Sequence, residues 1–349
     1  MLKLIKEYKK IIILLSFAYI YILAILLAPS KLSVLTPGET TDVSTIYDIE
    51  GVEIYNNFAS ISVYSWKNVS VFQKWIVENN PKYDLYKPSV DVSVRDSNIQ
   101  GKISNESSHN NSVITAYTHA NKVDNEINID YKLKSLTVYT SNSNNLEIGD
   151  EIVEINNKVI NTKSYETYLK ELNIYDGSRY IRKNDLELKI LRKNKEIKVN
   201  LTKEEALYFY PKYEILETTP KYLGFTEKFN VGGPSGGLIQ AATIYSSLLE
   251  LDLGNIKIAG TGTIETDNEF SVGKIGGVVQ KYYTVLNSKY DYFIIPKSND
   301  YEEVDNKNGT DLLPKELKNN DKLIVKSVST FQEFLDYLGE IIKWKKYRI

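Results

Sequence analysis

The sequence predicts an α+β chain of several units behind a single N-terminal apolar helix, and three observations carry that expectation. Its 349 residues suffice for two or three domains, and a 42% hydrophobic content supplies their cores. An uncharged run from Ile11 to Ala28 stands apart from everything that follows it. Beyond it, period-two alternation gives way near residue 130 to a hairpin-rich stretch, and near residue 205 to strands alternating with amphipathic helices.

The apolar run follows Lys3, Lys6, Lys9 and Lys10. A spanning helix needs roughly 17–25 apolar residues, against about 7–15 for the core of a signal peptide, so residues 11–29 read as an uncleaved anchor. A signal peptide, cut near Leu27-Ala28-Pro29-Ser30, and a buried helix of a soluble protein are the alternatives. The flanking lysines assign the basic tail 1–10 to the cytoplasm and everything after Lys31 to the outside of a cell membrane.

Residues 32–128 read as a β-rich N-terminal region, with alternation in Val52-Glu53-Ile54-Tyr55 and in Ala59-Ser60-Ile61-Ser62-Val63-Tyr64. A helix over Val71 to Val77 interrupts them. Ser97 to Asn111, rich in Ser and Asn, reads as a mobile loop, and Ser112 to Val123 as a helix carrying a partly exposed His119. Residues 130–203 read as a separate unit: a strand at Leu136 to Tyr139, a turn at Gly149-Asp150 opening a strand, a tight Asn156-Asn157 turn, a helix from Tyr165 to Leu172, and a hairpin over Leu186 to Leu201 turning near Asn194. Residues 205–345 alternate helices (238–251, 277–287, 330–338) with strands (256–259, 292–296, 323–325).

Composition excludes several functions. The 43 basic and 45 acidic residues nearly cancel without a basic stripe, which argues against nucleic acid. Zero cysteine removes disulfides, thiolate catalysis and thiolate metal sites. The Gly-Lys pairs at Lys102 and Lys274 are each followed by Ile and lack the phosphate-loop spacing, so no nucleotide is expected, nor any metal or other cofactor.

The string Gly232-Gly233-Pro234-Ser235-Gly236-Gly237 opens the helix at Leu238. Its glycines permit a tight turn and close approach of a substrate, and a helix N-terminus favours an oxyanion. Ser235 is therefore a candidate nucleophile, or equally a serine capping the helix. The match to the Gly-x-Ser-x-Gly nucleophile elbow fails, because no histidine follows Ser235 and a polar segment precedes it. Both histidines, His109 and His119, lie far upstream, which leaves lysine as the base. Lys281 sits on an amphipathic helix whose apolar side could lower its pKa; Lys274, in a turn-like segment, is the rival.

Two resemblances sharpen these readings. Leu146-x-x-Gly149-Asp150-x-Ile152-x-x-Ile155-Asn156-x-x-x-Ile160 resembles a PDZ domain of the circularly permuted bacterial envelope type, though an ordinary hairpin would give a similar string. The resemblance implies peptide binding by strand addition, with a carboxylate-capture loop near Lys134-Ser135-Leu136, which lacks the usual glycines. Gly-Pro-Ser-Gly-Gly, then Thr261-Gly262-Thr263-Ile264, then Ile275-Gly276-Gly277-Val278-Val279-Gln280-Lys281 is similar to the proteolytic domain of Lon-type serine peptidases. Anchor, PDZ and Lon domain in that order resemble the Lon-like PDZ-containing peptidases. The resemblance implies Ser235 as nucleophile, Lys281 as general base, Thr261 as the lysine's partner, and amides around Gly232, Gly233 and Ser235 as oxyanion donors. Gly236 stands where Ala is usual, and Gly232 where ATP-dependent members carry an acid. It further implies an ATP-independent endopeptidase, assembled as a homo-oligomer, that cleaves unfolded or flexible protein segments. The alternatives are a catalytically silent PDZ adaptor on the cell surface and a protein that cuts only itself.

Overall fold

The computed structural model describes residues 8–88, 93–166, 168, 172, 174–175, 180–181, 184–226, 233–297 and 322–346. The apolar run forms helix α1 (Lys9–Leu27), long and apolar enough to cross a membrane, and none of its residues is buried against the rest of the chain. Strands β1 (Ser33–Asp42), β2 (Tyr47–Ile49) and β3 (Phe58–Trp66) follow. Helix α2 (Val71–Val77) opens with a capping box: Ser70 Oγ accepts from the Gln73 N–H, and the Gln73 side chain accepts from the Ser70 N–H. Next come β4 (Asp84–Tyr86), helix α3 (Val94–Asn121), β5 (Asn128–Ser141), β6 (Glu151–Ile155), β7 (Lys158–Val159), β8 (Ile174–Tyr175), β9 (Tyr180–Ile181), β10 (Leu186–Arg192) and β11 (Lys195–Leu201). The chain continues through β12 (Leu207–Thr219), β13 (Tyr222–Phe225), α4 (Gly237–Leu248), β14 (Ile258–Gly260), β15 (Thr263–Ile264), β16 (Val272–Gly273), α5 (Val278–Leu286), β17 (Tyr292–Pro296), β18 (Ile324–Val328) and α6 (Phe331–Lys346).

Two sheets organise these elements into a mixed α/β protein. The first runs β18-β17-β14-β3-β1-β4; β18, β17, β14 and β3 are parallel, and β1 and β4 add antiparallel strands. Alternate residues serve opposite faces. Phe58, Ile258 and Ile294 meet a core built with α3, α4 and α6, while Ala59, Ala259, Phe293 and Ile295 meet Val278, Tyr282 and Val285 of α5. The second sheet runs β11-β10-β6-β5-β12 and closes over its own core of Leu136, Ile152, Ile155, Leu188 and Ile190. Its tight turns sit where the residues predicted them: Asn156-Asn157 and Lys193-Asn194 all adopt positive φ.

Four features differ from the sequence expectation. Residues 32–128 are not a region apart: β3 lies beside β14 in register Phe58↔Ile258, Ala59↔Ala259, so the sheet joins segments about 200 residues apart. Period-two alternation reveals which side of a strand is buried but not which strand lies next to it. Next, Ser97 to Asn111 is not a loop but part of the 28-residue helix α3. Its small polar residues Ser104, Ser108, Ser112 and Thr115 recur at helical spacing and face inward, which lets α3 pack closely on α4. Ser112 Oγ donates to the Ser108 carbonyl at 2.7 Å, so the hydroxyl is satisfied within the helix. Packing here overrides the weak helix propensity of Ser and Asn. Finally, His119 is buried: its Nδ1 lies 2.9 Å from the Thr115 carbonyl, and Phe270 and Phe331 meet its ring edge-on.

The loop expected at Lys134-Ser135-Leu136 is likewise not formed. These residues lie within β5, paired on one side with β12 (Ser135↔Lys212, Leu136↔Pro211) and, at Leu136, with Ile152 of β6 on the other. Ser135 is buried and donates to Glu151 Oε2, Leu136 is core, and Lys134 is exposed. At Leu136 the strand is flanked on both sides and offers no edge to a peptide. Tyr165 ties the second sheet's unit to the first, its hydroxyl donating to Glu265 Oε2 at 3.0 Å just past β15.

Candidate active site

Ser235, Thr261 and Lys281 come from three segments that meet beyond the carboxyl end of β14. This is where open α/β sheets place ligands, because helices on both faces start there. Thr261 follows β14 directly, Ser235 precedes α4 on one face, and Lys281 lies in the first turn of α5 on the other. Gly277 caps α5 with φ of +69°, a left-handed conformation suited to glycine. Two backbone bonds fix the Ser235 loop to the segment after β14: the Gly262 N–H donates to the Ser235 carbonyl at 2.8 Å, and the Leu238 N–H to the Gly262 carbonyl at 3.0 Å.

The side chains converge. Lys281 Nζ is 2.9 Å from Ser235 Oγ and 2.8 Å from Thr261 Oγ1, and the Thr261 hydroxyl donates to the Ser235 carbonyl at 3.0 Å. Lys281 is 2% exposed, and burial pulls its pKa from 10.5 down to about 7. The ammonium form loses its hydration there, so the lysine can rest neutral near physiological pH and accept a proton. Ser235 does not cap the helix: Gly236 occupies that position, without a side-chain bond, and the serine hydroxyl is engaged by lysine instead. Gly233 has φ of +114°, so it is required for backbone shape. At Gly236 a Cβ would lie 3.0 Å from the Gln240 side-chain amide, which a shift of that side chain could accommodate. Gly232 lies outside the described residues. Lys274, the rival base, follows β16 and is exposed, whereas Lys281 is buried.

The sequence pointed to the dyad but missed the layer beneath it, supplied by α3. Ser108 Oγ donates to the Pro234 carbonyl and Asn111 Nδ2 to the Ile264 carbonyl, while Ser112 Oγ lies 3.0 Å from the Gly237 carbonyl. The helical spacing of 108, 111 and 112 was the available signal, hidden because polar residues form the buried face. His109 also reaches the site. It lines the cavity beside Ser235 with Thr41, Ser60, Asn105 and Gln240, its Nδ1 2.7 Å from the Tyr47 hydroxyl and its ring stacked on Phe225. Burial lowers its pKa to about 4, so the His109–Tyr47 pair is neutral and, among the described residues, the cavity lining carries no charge. Among the described residues no cluster of His, Asp and Glu could hold a metal. Compared with protein-family models and with curated protein sequences, the chain matches none.

The two buried histidines set an acid limit on stability. Both have folded pKa values near 4 against 6.5 in the unfolded chain, so between those values the unfolded state binds more protons. Stability therefore rises with pH from about 4 to 6.5 and is lost as pH falls, on the order of 3 kcal/mol per histidine. Denaturant titrations across this range should show that slope, and His119→Gln should reduce it by about half; an unchanged slope would mean that the His119 ring is hydrated.

Proposed function

We propose that the protein is a membrane-anchored serine endopeptidase that works without ATP, with Ser235 as nucleophile and Lys281 as general base. The observation that carries this reading is a lysine amine, buried enough to be neutral, 2.9 Å from a serine hydroxyl. The resemblance of the Ser235, Thr261 and Lys281 segments to Lon-type peptidases supports it. Ser235 Oγ attacks the scissile carbonyl while its proton passes to Lys281 Nζ; the tetrahedral oxyanion is met by amides at the opening of α4. As the C–N bond breaks, Lys281 returns the proton to the leaving amine. Water then enters, gives a proton to Lys281 and attacks the acyl ester; as the ester bond breaks, Lys281 passes that proton to Ser235 Oγ, which regenerates the serine. Thr261 holds the amine on Ser235 throughout. The described lining of the cavity, uncharged, fits an uncharged side chain on the acyl side of the cleaved bond, and without an unfolding motor the substrates are flexible segments. The helix α1 anchors the chain with its catalytic part outside the cell, and the second sheet's unit, if it binds peptides, does so elsewhere than at Lys134–Leu136.

The test is labelling of the detergent-solubilised chain with a fluorophosphonate or peptide boronate across pH. Wild type should be labelled at a rate that climbs about tenfold per pH unit below 7 and levels off above it, as Lys281 loses its proton. Ser235→Ala should not be labelled. A folded wild type that resists labelling at every pH would support the silent adaptor instead.

A further inference from the structure

We propose that α2, together with Trp66, forms an interfacial foot that beds into the lipid headgroup layer at the C-terminal end of α1, an inference that rests on reading α1 as a membrane anchor. Val71, Phe72, Trp75, Ile76 and Val77 make five of the seven residues of α2 apolar, yet none is buried. Trp75 is 69% exposed, and Trp66 at the end of β3 is 60% exposed. Phe72 stacks on Trp75 with ring centroids 6.2 Å apart, and both residues remain exposed.

The backbone fixes where this surface lies. The Val71 N–H donates to the Ala28 carbonyl at 2.9 Å, Ser30 N–H and Oγ both donate to the Val69 carbonyl, and Pro29 pairs with Ser70 in an antiparallel bridge. The first turn of α2 is thus stitched to the residue that ends α1. Nineteen helical residues rise about 28 Å, close to the roughly 30 Å of a bilayer's hydrocarbon core. When α1 spans, its end and α2 with it therefore stand at the hydrocarbon boundary. Tryptophan favours that depth, where its ring is partly apolar and its N–H stays wet. Lys31, Lys67 and Lys74, in the same stretches, suit the phosphates of the headgroups. The occupant of the surface is the lipid itself. The consequence is a catalytic unit held against the membrane at two points, the anchor and the foot, rather than swinging on one.

The chain has three tryptophans, so Trp66→Phe with Trp344→Phe leaves Trp75 alone to report. This full-length variant would be reconstituted into phosphatidylcholine vesicles with and without dibrominated phosphatidylcholine and floated on a density gradient. The expected result is co-flotation, blue-shifted Trp75 emission, and loss of most of that emission with the brominated lipid. Co-flotation with emission quenched by aqueous iodide but not by bromolipid would overturn the foot and leave the anchor standing. Blue-shifted emission indifferent to both quenchers would overturn it in favour of contact between copies of the chain. Failure to float would remove the anchor reading and the foot with it.

Discussion

Replacing Lys281 by methionine is expected to slow acylation of Ser235 by roughly 10³-fold while leaving the fold at least as stable as wild type. Loss of a positioned general base costs typically 10²–10⁴ in rate. The proposed mechanism makes Lys281 the base, since its Nζ meets both Ser235 Oγ and Thr261 Oγ1 within 3 Å. The stability half of the expectation follows from the same burial. A folded pKa of about 7 against 10.5 unfolded means that the unfolded state binds more protons throughout that interval. Stability therefore rises with pH from about 7 towards 10.5, and at pH 7 the buried lysine costs on the order of 4–5 kcal/mol. Methionine fills a similar volume, carries no charge, and removes this cost along with its pH slope, at the loss of two hydrogen bonds. Rate of probe labelling and denaturant midpoints from pH 7 to 9 check both halves. Labelling at the wild-type rate would remove Lys281 from the mechanism; a midpoint far below wild type would show that the lysine holds the site together instead.

The second large effect concerns what counts as a folding unit. A fragment of residues 205–345, the unit the sequence suggests, is expected not to fold, whereas residues 30–346 should melt cooperatively. In the fragment β14 loses its parallel neighbour β3, and α4 loses α3, which packs along it. The missing segment contributes Val43, Ile46, Tyr47, Ile49, Phe58, Val113 and Tyr117 to the shared core. At about 1.5–3 kcal/mol for each buried side chain, their loss matches or exceeds the roughly 5–15 kcal/mol of net stability a domain possesses. Near-ultraviolet circular dichroism and thermal melts of both chains decide it. A cooperative transition in the short fragment would show that the N-terminal strands decorate the sheet rather than complete it.

Local signals were well legible. The helix read over Val71–Val77 forms as α2 residue for residue, and the hairpin over 186–201 turns at Lys193-Asn194, where it was expected. Ser235 and Lys281 were found by motif although 46 residues separate them, because glycine-rich turns and amphipathic helices leave strong local patterns. What failed was inference from polarity. Ser108 and Asn111 looked like part of a solvated loop, yet with Ser112 they form the buried face beneath the Ser235 loop. Polarity marks a residue as able to bond; only its neighbours decide whether the partner is water or a carbonyl.

By itself, then, the sequence determined the apolar helix, the turns, most of the short-range elements and the residue types able to do chemistry, since each depends on a few consecutive side chains. The tertiary structure alone decided three things. It set β3 beside β14, turned α3 inward so that His109 and its serines reach the site, and enclosed Lys281 deeply enough to lower its pKa. Each of these depends on which distant segments exclude water from one another, and that is a property of the packed chain rather than of any stretch within it.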